Sequence, residues 1–262
     1  MKLRDKAVLV TGASRGIGAE IARQAATRGA KVGLMARTQA DLDRVRDEIG
    51  SVCATAVADV ADRAQVDAAV KKIAEELGPI DVAVVNAGVG LHGPFIDADV
   101  ADLDRVMRVN YLGSVHVLKA VLPAMIERRQ GHVAIIGSIS GRMGSPFEAG
   151  YSASKFALTG LTEALSIELL PFDINVTLVS PGPTTTSFFE ASGHPYDRER
   201  PKPQSAAHVA AVTVRAIEHN RRDIFASAFM RQALITKTLI PPAFRMGSVR
   251  AFAKELADMR GR

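Results

Sequence analysis

Short apolar segments alternate with longer amphipathic ones along most of this 262-residue chain, and this alternation constrains the fold more than any other feature. Fully apolar runs such as Ala7–Val10 predict buried strands, because a strand covered on both faces lacks the polar alternation of a half-exposed one. Segments with helical spacing of apolar residues, such as Arg63–Leu77, predict helices. Parallel strands need crossover helices between them. The pattern therefore predicts an α/β fold, a doubly wound parallel sheet with helices on both faces.

Composition and charge exclude several other classes of protein. With 47% apolar and 23% charged residues the chain is not disordered, and its single cysteine, Cys53, rules out a disulfide scaffold. The net charge of +5 is concentrated in residues 219–262, which contain nine basic and three acidic residues, so the rest is nearly neutral. We therefore expect no nucleic-acid partner. No stretch approaches the roughly 20 apolar residues of a membrane span, and we expect a cytoplasmic protein.

Two segments interrupt the regular alternation. Residues 183–204 are rich in proline and polar residues, which predicts a substrate lid within a single catalytic domain spanning residues 1–227. Residues 228–262 then form a basic, apolar helical extension of the same domain. Its apolar residues alternate with Arg and Lys, which is typical of a peripheral helix on anionic lipid. A solvated or subunit-contacting C-terminal helix is the other interpretation of this segment, and it is the one we favour from the sequence.

A glycine-rich turn, Thr11-Gly12-Ala13-Ser14-Arg15-Gly16-Ile17-Gly18, joins the first strand to the first helix. Glycine lets backbone N–H groups at a helix N-terminus approach a pyrophosphate, which the helix dipole favours. This is the arrangement of a Rossmann-type dinucleotide site, although the glycine spacing differs from the commoner GxGxxG. A plain glycine turn is the alternative.

The end of the second predicted strand bears on which dinucleotide binds. An NAD site commonly has an acidic residue there for the ribose 2′-hydroxyl, and Ala36 cannot take that role. Arg37 could instead pair with a 2′-phosphate, and Arg15 of the glycine turn could assist. We therefore predict NADP, with NAD less favoured. Two ordinary surface arginines are the alternative.

Tyr151 and Lys155 are four residues apart on a predicted helix and so project from one face. The ordinary pKa of tyrosine, about 10, is too high for proton exchange near neutrality, and a nearby ammonium group lowers it. Ser138, at the end of a predicted strand, could hydrogen-bond a substrate carbonyl. Taken separately, a Tyr–Lys pair with this spacing is usually a surface pair.

Taken together, these motifs resemble the short-chain dehydrogenase/reductase family over residues 4–227. The resemblance rests on the order and spacing of the glycine turn, Asn86-Ala87-Gly88, Asn110, Ser138, Tyr151-x-x-x-Lys155 and Pro181-Gly182. It implies that Tyr151 is the general acid or base, that Lys155 lowers its pKa and binds the nicotinamide ribose, that Ser138 orients the substrate oxygen, and that Asn110 holds a water. Ser140 is a competitor for the role of Ser138. The cofactor-binding residues implied are Gly12, Ser14, Arg15, Gly16, Ile17, Gly18, Arg37, Asp59, Val60, Asn86, Ala87, Gly88, Tyr151, Lys155, Pro181, Gly182, Thr184 and Thr186.

The resemblance implies an oxidoreductase that interconverts a ketone and a secondary alcohol. Phe188, Phe189 and Tyr196 in the predicted lid would suit an apolar, lipid- or steroid-like substrate, and they equally suit packing of the lid onto the body of the protein. The alternatives are a polyol or other small polar alcohol and, outside the enzymes, a nucleotide-sensing binding protein. The histidines show neither i,i+4 pairing nor accompanying ligands, so we predict no metal site.

The resemblance also implies a homodimer or homotetramer that assembles through the helices around Asn110 and Tyr151. The apolar positions that could serve such an interface have a spacing that equally fits packing on the sheet. They are Leu158, Leu161, Leu165 and Leu169.

Overall fold

The structure, a computed structural model, describes residues 1–188, 192 and 202–260. In this part of the chain seven parallel strands form one sheet in the order β3-β2-β1-β4-β5-β6-β9. A separate pair is formed by the two-residue strands β7, Thr184–Thr185, and β8, Gln204–Ser205. The strands of the main sheet are Ala7–Thr11 (β1), Lys31–Ala36 (β2), Cys53–Val57 (β3), Val82–Val85 (β4), Gly131–Ile136 (β5), Ile174–Ser180 (β6) and Asp223–Phe225 (β9).

Helices cover both faces of this sheet. Apolar residues of α1, α2 and α7 form one core layer with it, and those of α3, α5 and α6 form the other. The doubly wound fold predicted from the sequence is therefore confirmed. The helices are Gly16–Ala26 (α1), Gln39–Ile49 (α2), Arg63–Leu77 (α3), Val100–Met107 (α4), Gly113–Arg128 (α5), Ala149–Glu168 (α6), Ala206–Glu218 (α7), Ala228–Leu239 (α8), Pro241–Ala251 (α9) and Ala253–Arg260 (α10).

A subunit interface built on the leucines in and next to α6 would need those leucines to be exposed. They pack on the sheet instead. Leu158 and Leu169 are 1% and 4% exposed, and Leu161 and Leu165 pack against the same core. The leucine spacing thus reflects packing on the sheet. In α6 and the turn that directly follows it, large apolar side chains remain exposed at Phe156, Ile167 and Leu170.

The segment Val100–Arg128 runs from the start of α4 to the end of α5. By length and composition alone, it is long and apolar enough to cross a membrane. This corrects the expectation that no segment is long enough. In the fold, however, the segment is a core helix, because Val106, Val117, Val121 and Met125 on it are buried.

The buried imidazole of His132 on β5 predicts that stability depends on pH. The ring is fully buried, its Nε2 lies 2.8 Å from Thr177 Oγ1, and burial lowers its pKa to about 4. The unfolded chain, with an ordinary histidine pKa near 6.5, binds the extra proton between these two pH values. We expect the free energy of unfolding to fall by about 3 kcal/mol from this group as the pH drops from 6.5 to 4.

Urea unfolding at several pH values from 4 to 7 measures this effect. His132→Asn removes the titrating group, so its free energy of unfolding should depend less steeply on pH than that of the wild type, whatever its absolute value. His219→Asn is a control on the surface, because His219 is exposed. The same pH slope for His132→Asn and the wild type would contradict the prediction.

Candidate active site

The carboxyl ends of the parallel strands lie at one edge of the sheet and bring the predicted site residues to that edge. At this edge, hydrogen bonds join the glycine turn to the residues that follow β4. Thr11 Oγ1 accepts the N–H groups of Asn86 at 2.9 Å and Ala87 at 3.1 Å, and Asn86 Nδ2 donates to the Thr11 carbonyl at 2.9 Å. A Cβ at Gly18 would lie 2.4 Å from the Gly12 carbonyl oxygen, so glycine is required there.

The N-terminus of α1 has the geometry of an anion-binding turn. Gly12 and Gly16 adopt φ values of +63° and +58°, which side chains rarely adopt. The N-cap residue, Arg15, makes no side-chain cap hydrogen bond. Thr186 lies against Gly16, with its Cγ2 3.2 Å from where a Cβ would be. The uncapped N–H groups of this turn suit the pyrophosphate of a dinucleotide.

The two arginines predicted to select NADP are exposed. Among the described residues neither Arg15 nor Arg37 forms an ion pair, so both guanidinium groups are available to a phosphate. At the end of β3, Asp59 Oδ1 accepts the Ala61 N–H at 2.9 Å, and Val60 is buried.

The predicted catalytic residues are brought together by β5 and α6. Ser138 lies two residues after β5, and its hydroxyl is near enough to that of Tyr151, close to the start of α6, to lower the pKa of the tyrosine. Ser140 instead contacts Ser145 at 3.0 Å and Glu148 at 3.2 Å. Of the two candidate serines, the one paired with Tyr151 is therefore Ser138.

The pKa of Tyr151 is raised rather than lowered, which corrects the expectation from its spacing to Lys155. Burial is the main cause, the hydrogen bond from Ser138 opposes it, and the charge of Glu148 raises the pKa further. Lys155 Nζ lies 5.8 Å from the centre of the tyrosine ring. Burial outweighs the effect of Ser138, so Tyr151 is a protonated donor.

Lys155 is 4% exposed, and burial lowers its pKa to about 8. Its Nζ donates to the Ile136 carbonyl at 2.9 Å. An ammonium group has three donors, and this is the one hydrogen bond that Nζ makes to the described residues. A buried donor with spare capacity next to Gly88 fits the ribose hydroxyls of a dinucleotide.

Asn110 is fully buried in a five-residue π-helical turn, Arg108–Leu112, between α4 and α5. Its amide holds the loop after β4, accepting the Val89 N–H at 2.8 Å and donating to the Val89 carbonyl at 2.9 Å. It also donates to Ser154 Oγ at 2.9 Å. Sequence reasoning missed Ser154, although its place three residues after Tyr151 on the same helix could have indicated it.

The substrate side of the site is apolar where it is described. The Phe188 ring lies 5.6 Å from that of Tyr151, measured between ring centres. Gly182, after β6, faces Met230 of α8. Two aromatic residues of the predicted lid, Phe189 and Tyr196, lie outside the described residues. No group of His, Cys, Asp and Glu among residues 1–188, 192 and 202–260 could hold a metal ion.

Comparison with known proteins gives a consistent result. The profile of the short chain dehydrogenase family matches residues 6–197. Dehydrogenase/reductase SDR family member 7B of Mus musculus is 34% identical over 258 residues, covering 92% of this chain and 80% of the relative. The 3-ketodihydrosphingosine reductase of Bos taurus is 40% identical, covering 70% of this chain and 57% of the relative. Retinol dehydrogenase 8 of Homo sapiens is 39% identical, covering 72% of this chain and 62% of the relative.

Solved structures share the fold. A short chain dehydrogenase/reductase from Burkholderia phymatum in complex with NAD superposes with a TM-score of 0.84 at 24% identity, covering 91% of this chain and 94% of that one. An alcohol dehydrogenase from Thermococcus sibiricus complexed with 5-hydroxy-NADP gives a TM-score of 0.77 at 26% identity, covering 84% and 95%. The family profile, the relatives and the fold agree: the chain belongs to the short-chain dehydrogenase/reductase family of oxidoreductases that act on CH–OH groups with a nicotinamide dinucleotide.

Proposed function

We propose that this protein is an NADP(H)-dependent oxidoreductase that interconverts a ketone and a secondary alcohol on an apolar, lipid-like substrate. The observation that carries the proposal is the buried Ser138–Tyr151 hydroxyl pair with the Phe188 ring beside it. A proton donor next to an aromatic wall suits a carbonyl on an apolar chain. The names of the relatives, a 3-ketodihydrosphingosine reductase and a retinol dehydrogenase, agree with such a substrate.

In ketone reduction, Ser138 donates a hydrogen bond to the substrate oxygen and Tyr151 gives it a proton. Lys155 holds the nicotinamide ribose through its spare donors, and Asn110 fixes the loop that borders this position and holds a water beside it. The bound dinucleotide supplies the hydride, or accepts it in the reverse direction. The raised pKa keeps the Tyr151 hydroxyl protonated, so the proton is in place when a ketone binds.

The cofactor preference rests on the two available guanidinium groups. Arg37→Ala should lower kcat/KM for NADPH about 10- to 100-fold and leave that for NADH nearly unchanged, because NADH has no 2′-phosphate to lose a charge-assisted hydrogen bond. Steady-state kinetics with both cofactors measure the ratio of kcat/KM for NADPH to kcat/KM for NADH. Arg46→Ala is the matched control, since Arg46 on α2 already pairs with Asp43 and Asp47. An unchanged preference in both Arg37→Ala and Arg15→Ala would refute the assignment.

The substrate class is tested by NADPH oxidation with matched ketones. A long-chain 3-keto amphiphile is expected to give a higher kcat/KM than a short polar ketone of the same reacting group. A preference for small polyols or their ketones would instead support the alternative function. Phe188→Ala should reduce the preference for the long chain, because it removes the apolar surface beside Tyr151.

We also propose a homodimer or homotetramer, built on α5 and α6. Apolar side chains exposed there can serve such an interface, namely Leu112, Phe156, Ile167 and Leu170. In location we propose a cytoplasmic protein with peripheral membrane contact. The apolar segment Val100–Arg128 does not suit a membrane span, because it carries the buried Asn110 of the site.

A further inference from the structure

Exposed apolar side chains concentrate at two segments that border the substrate side of the site. The first, Phe95–Val100, follows the loop after β4, and Phe95, Ile96 and Val100 are 64%, 78% and 76% exposed. The second is the C-terminal pair α8 and α9. Its exposed apolar side chains, each at least half exposed, are Phe229, Ile235, Leu239, Ile240, Met246 and Val249. We call these two segments together the rim.

Direct contacts join the two parts of the rim through Phe147. The Gly93 N–H donates to the Phe147 carbonyl at 2.8 Å, two residues before Phe95. The Phe147 ring stacks on Phe252, just after α9, with ring centres 5.9 Å apart. Phe147 precedes Tyr151 by four residues, just before α6 begins. The rim therefore lies beside the start of α6, which carries Tyr151.

The C-terminal helices are also fixed to the end of the sheet that carries the site. Met230 packs with Ile139 and Met143 in the loop after Ser138, and Phe244 packs against the same cluster. Lys237 Nζ donates to the Arg142 carbonyl at 2.9 Å. These contacts bury Met230 of α8 and partly cover Phe244 of α9, and they leave apolar and basic side chains of both helices in solvent.

Charge indicates what covers the exposed side. Residues 228–262 contain seven basic and two acidic residues, whereas the chain before residue 219 is nearly neutral. Single apolar side chains interspersed with Arg and Lys are typical of a helix lying in a lipid interface. A second copy of the same face would bring a second excess of positive charge, which opposes pairing. An anionic surface is complementary.

We propose that the rim docks on an anionic lipid bilayer and takes the ketone substrate directly from it. The apolar residues enter the acyl boundary, and cations such as Arg245 and Arg250 contact lipid headgroups. The start of α6, beside Phe147, then faces the membrane, so that an apolar substrate reaches Tyr151 from the bilayer without crossing water. Docking stands without the enzymatic assignment, but the route of the substrate rests on the proposed function.

Vesicle flotation without substrate or cofactor tests docking. We expect the full-length protein to float with vesicles of phosphatidylcholine and phosphatidylserine, less with phosphatidylcholine alone, and less in 0.5 M salt. Ile96→Asp and Leu239→Asp should each weaken binding about tenfold, because each loses apolar burial and gains a repelled charge. Val52→Asp is the matched control, since Val52 is 57% exposed just before the edge strand β3.

The charge reversal Arg245→Glu with Arg250→Glu should weaken binding to the anionic vesicles, and the reversal Arg63→Glu with Lys71→Glu on α3 should not. Circular dichroism checks that the variants are folded. Docking is overturned if the wild type floats with neither vesicle, or if the rim variants float as well as Val52→Asp does. A rim variant that alters the oligomeric state without vesicles would overturn it in favour of a subunit contact.

Activity separates the route of the substrate from the proposed function. With a long-chain ketone embedded in anionic vesicles, Ile96→Asp and Leu239→Asp should lose about tenfold in rate, in proportion to binding. With a soluble short-chain ketone, the rates of these two variants should equal that of Val52→Asp. Equal losses on both substrates would overturn the route, whereas no ketone reduction by the wild type would refute the proposed function and leave flotation to decide docking.

Discussion

Tyr151→Phe is expected to lower kcat for ketone reduction by about 10²- to 10⁴-fold, the range for loss of a positioned general acid. The substitution removes one hydroxyl and keeps the buried ring, which is 9% exposed. Ser138 Oγ still accepts the Ser140 N–H at 3.0 Å, so the loop after β5 retains its shape. NADPH oxidation measures kcat, and the dissociation constant for NADPH should stay within about twofold, because the phenolic hydroxyl acts on the substrate.

A matched control for this change is available in the same chain. Tyr111→Phe makes the identical substitution at a tyrosine that packs against the core beneath the sheet. It should retain kcat within about twofold, since no proton transfer depends on it. Equal rates for Tyr151→Phe and the wild type would remove Tyr151 from the mechanism for any substrate. Loss of NADPH binding in Tyr151→Phe would show that the hydroxyl holds the cofactor instead.

The fold was predictable because its strongest determinants are local. A parallel strand buried on both faces must be apolar throughout, so Ala7–Val10 is identifiable by its composition, and it lies in the fully buried strand β1. The helix Arg63–Leu77 has apolar residues at helical spacing, and both of its ends match the prediction. The glycine turn is equally local, because each glycine answers a backbone constraint within or next to the turn.

The parts that escaped prediction depend on contacts between distant segments. The π-helical turn around Asn110 forms where the asparagine amide bonds both backbone groups of Val89, and no periodicity indicates this. The sequence spacing of Tyr151 and Lys155 shows that they share a helix face but not how deeply they are buried. Burial determines both of their pKa shifts. In the same way, the leucines of α6 have helical spacing whether they face the sheet or a second subunit.

The depth of Lys155 leads to the second large effect. Burial lowers its pKa to about 8, so the free enzyme loses this charge as the pH rises through that value. Tyr151, whose pKa is raised, stays protonated over the same range, and its titration does not contribute. Since kcat/KM reports the free enzyme, kcat/KM for NADPH should fall above about pH 8.

Substitution of Lys155 separates its charge from its volume. Lys155→Met should lower kcat/KM for NADPH about 10²- to 10³-fold at pH 7 and give a profile that is flat through pH 8, because the charge-assisted hydrogen bonds to the ribose are lost. Lys155→Arg keeps a charge that does not titrate in this range, so its pH profile should also be flat, whatever its absolute rate. Lys71→Met, at an exposed lysine of α3, should keep both the wild-type rate and the fall near pH 8. If Lys155→Arg showed that same fall, the alkaline limb would belong to another group, and the buried ammonium would not be the one that holds the cofactor.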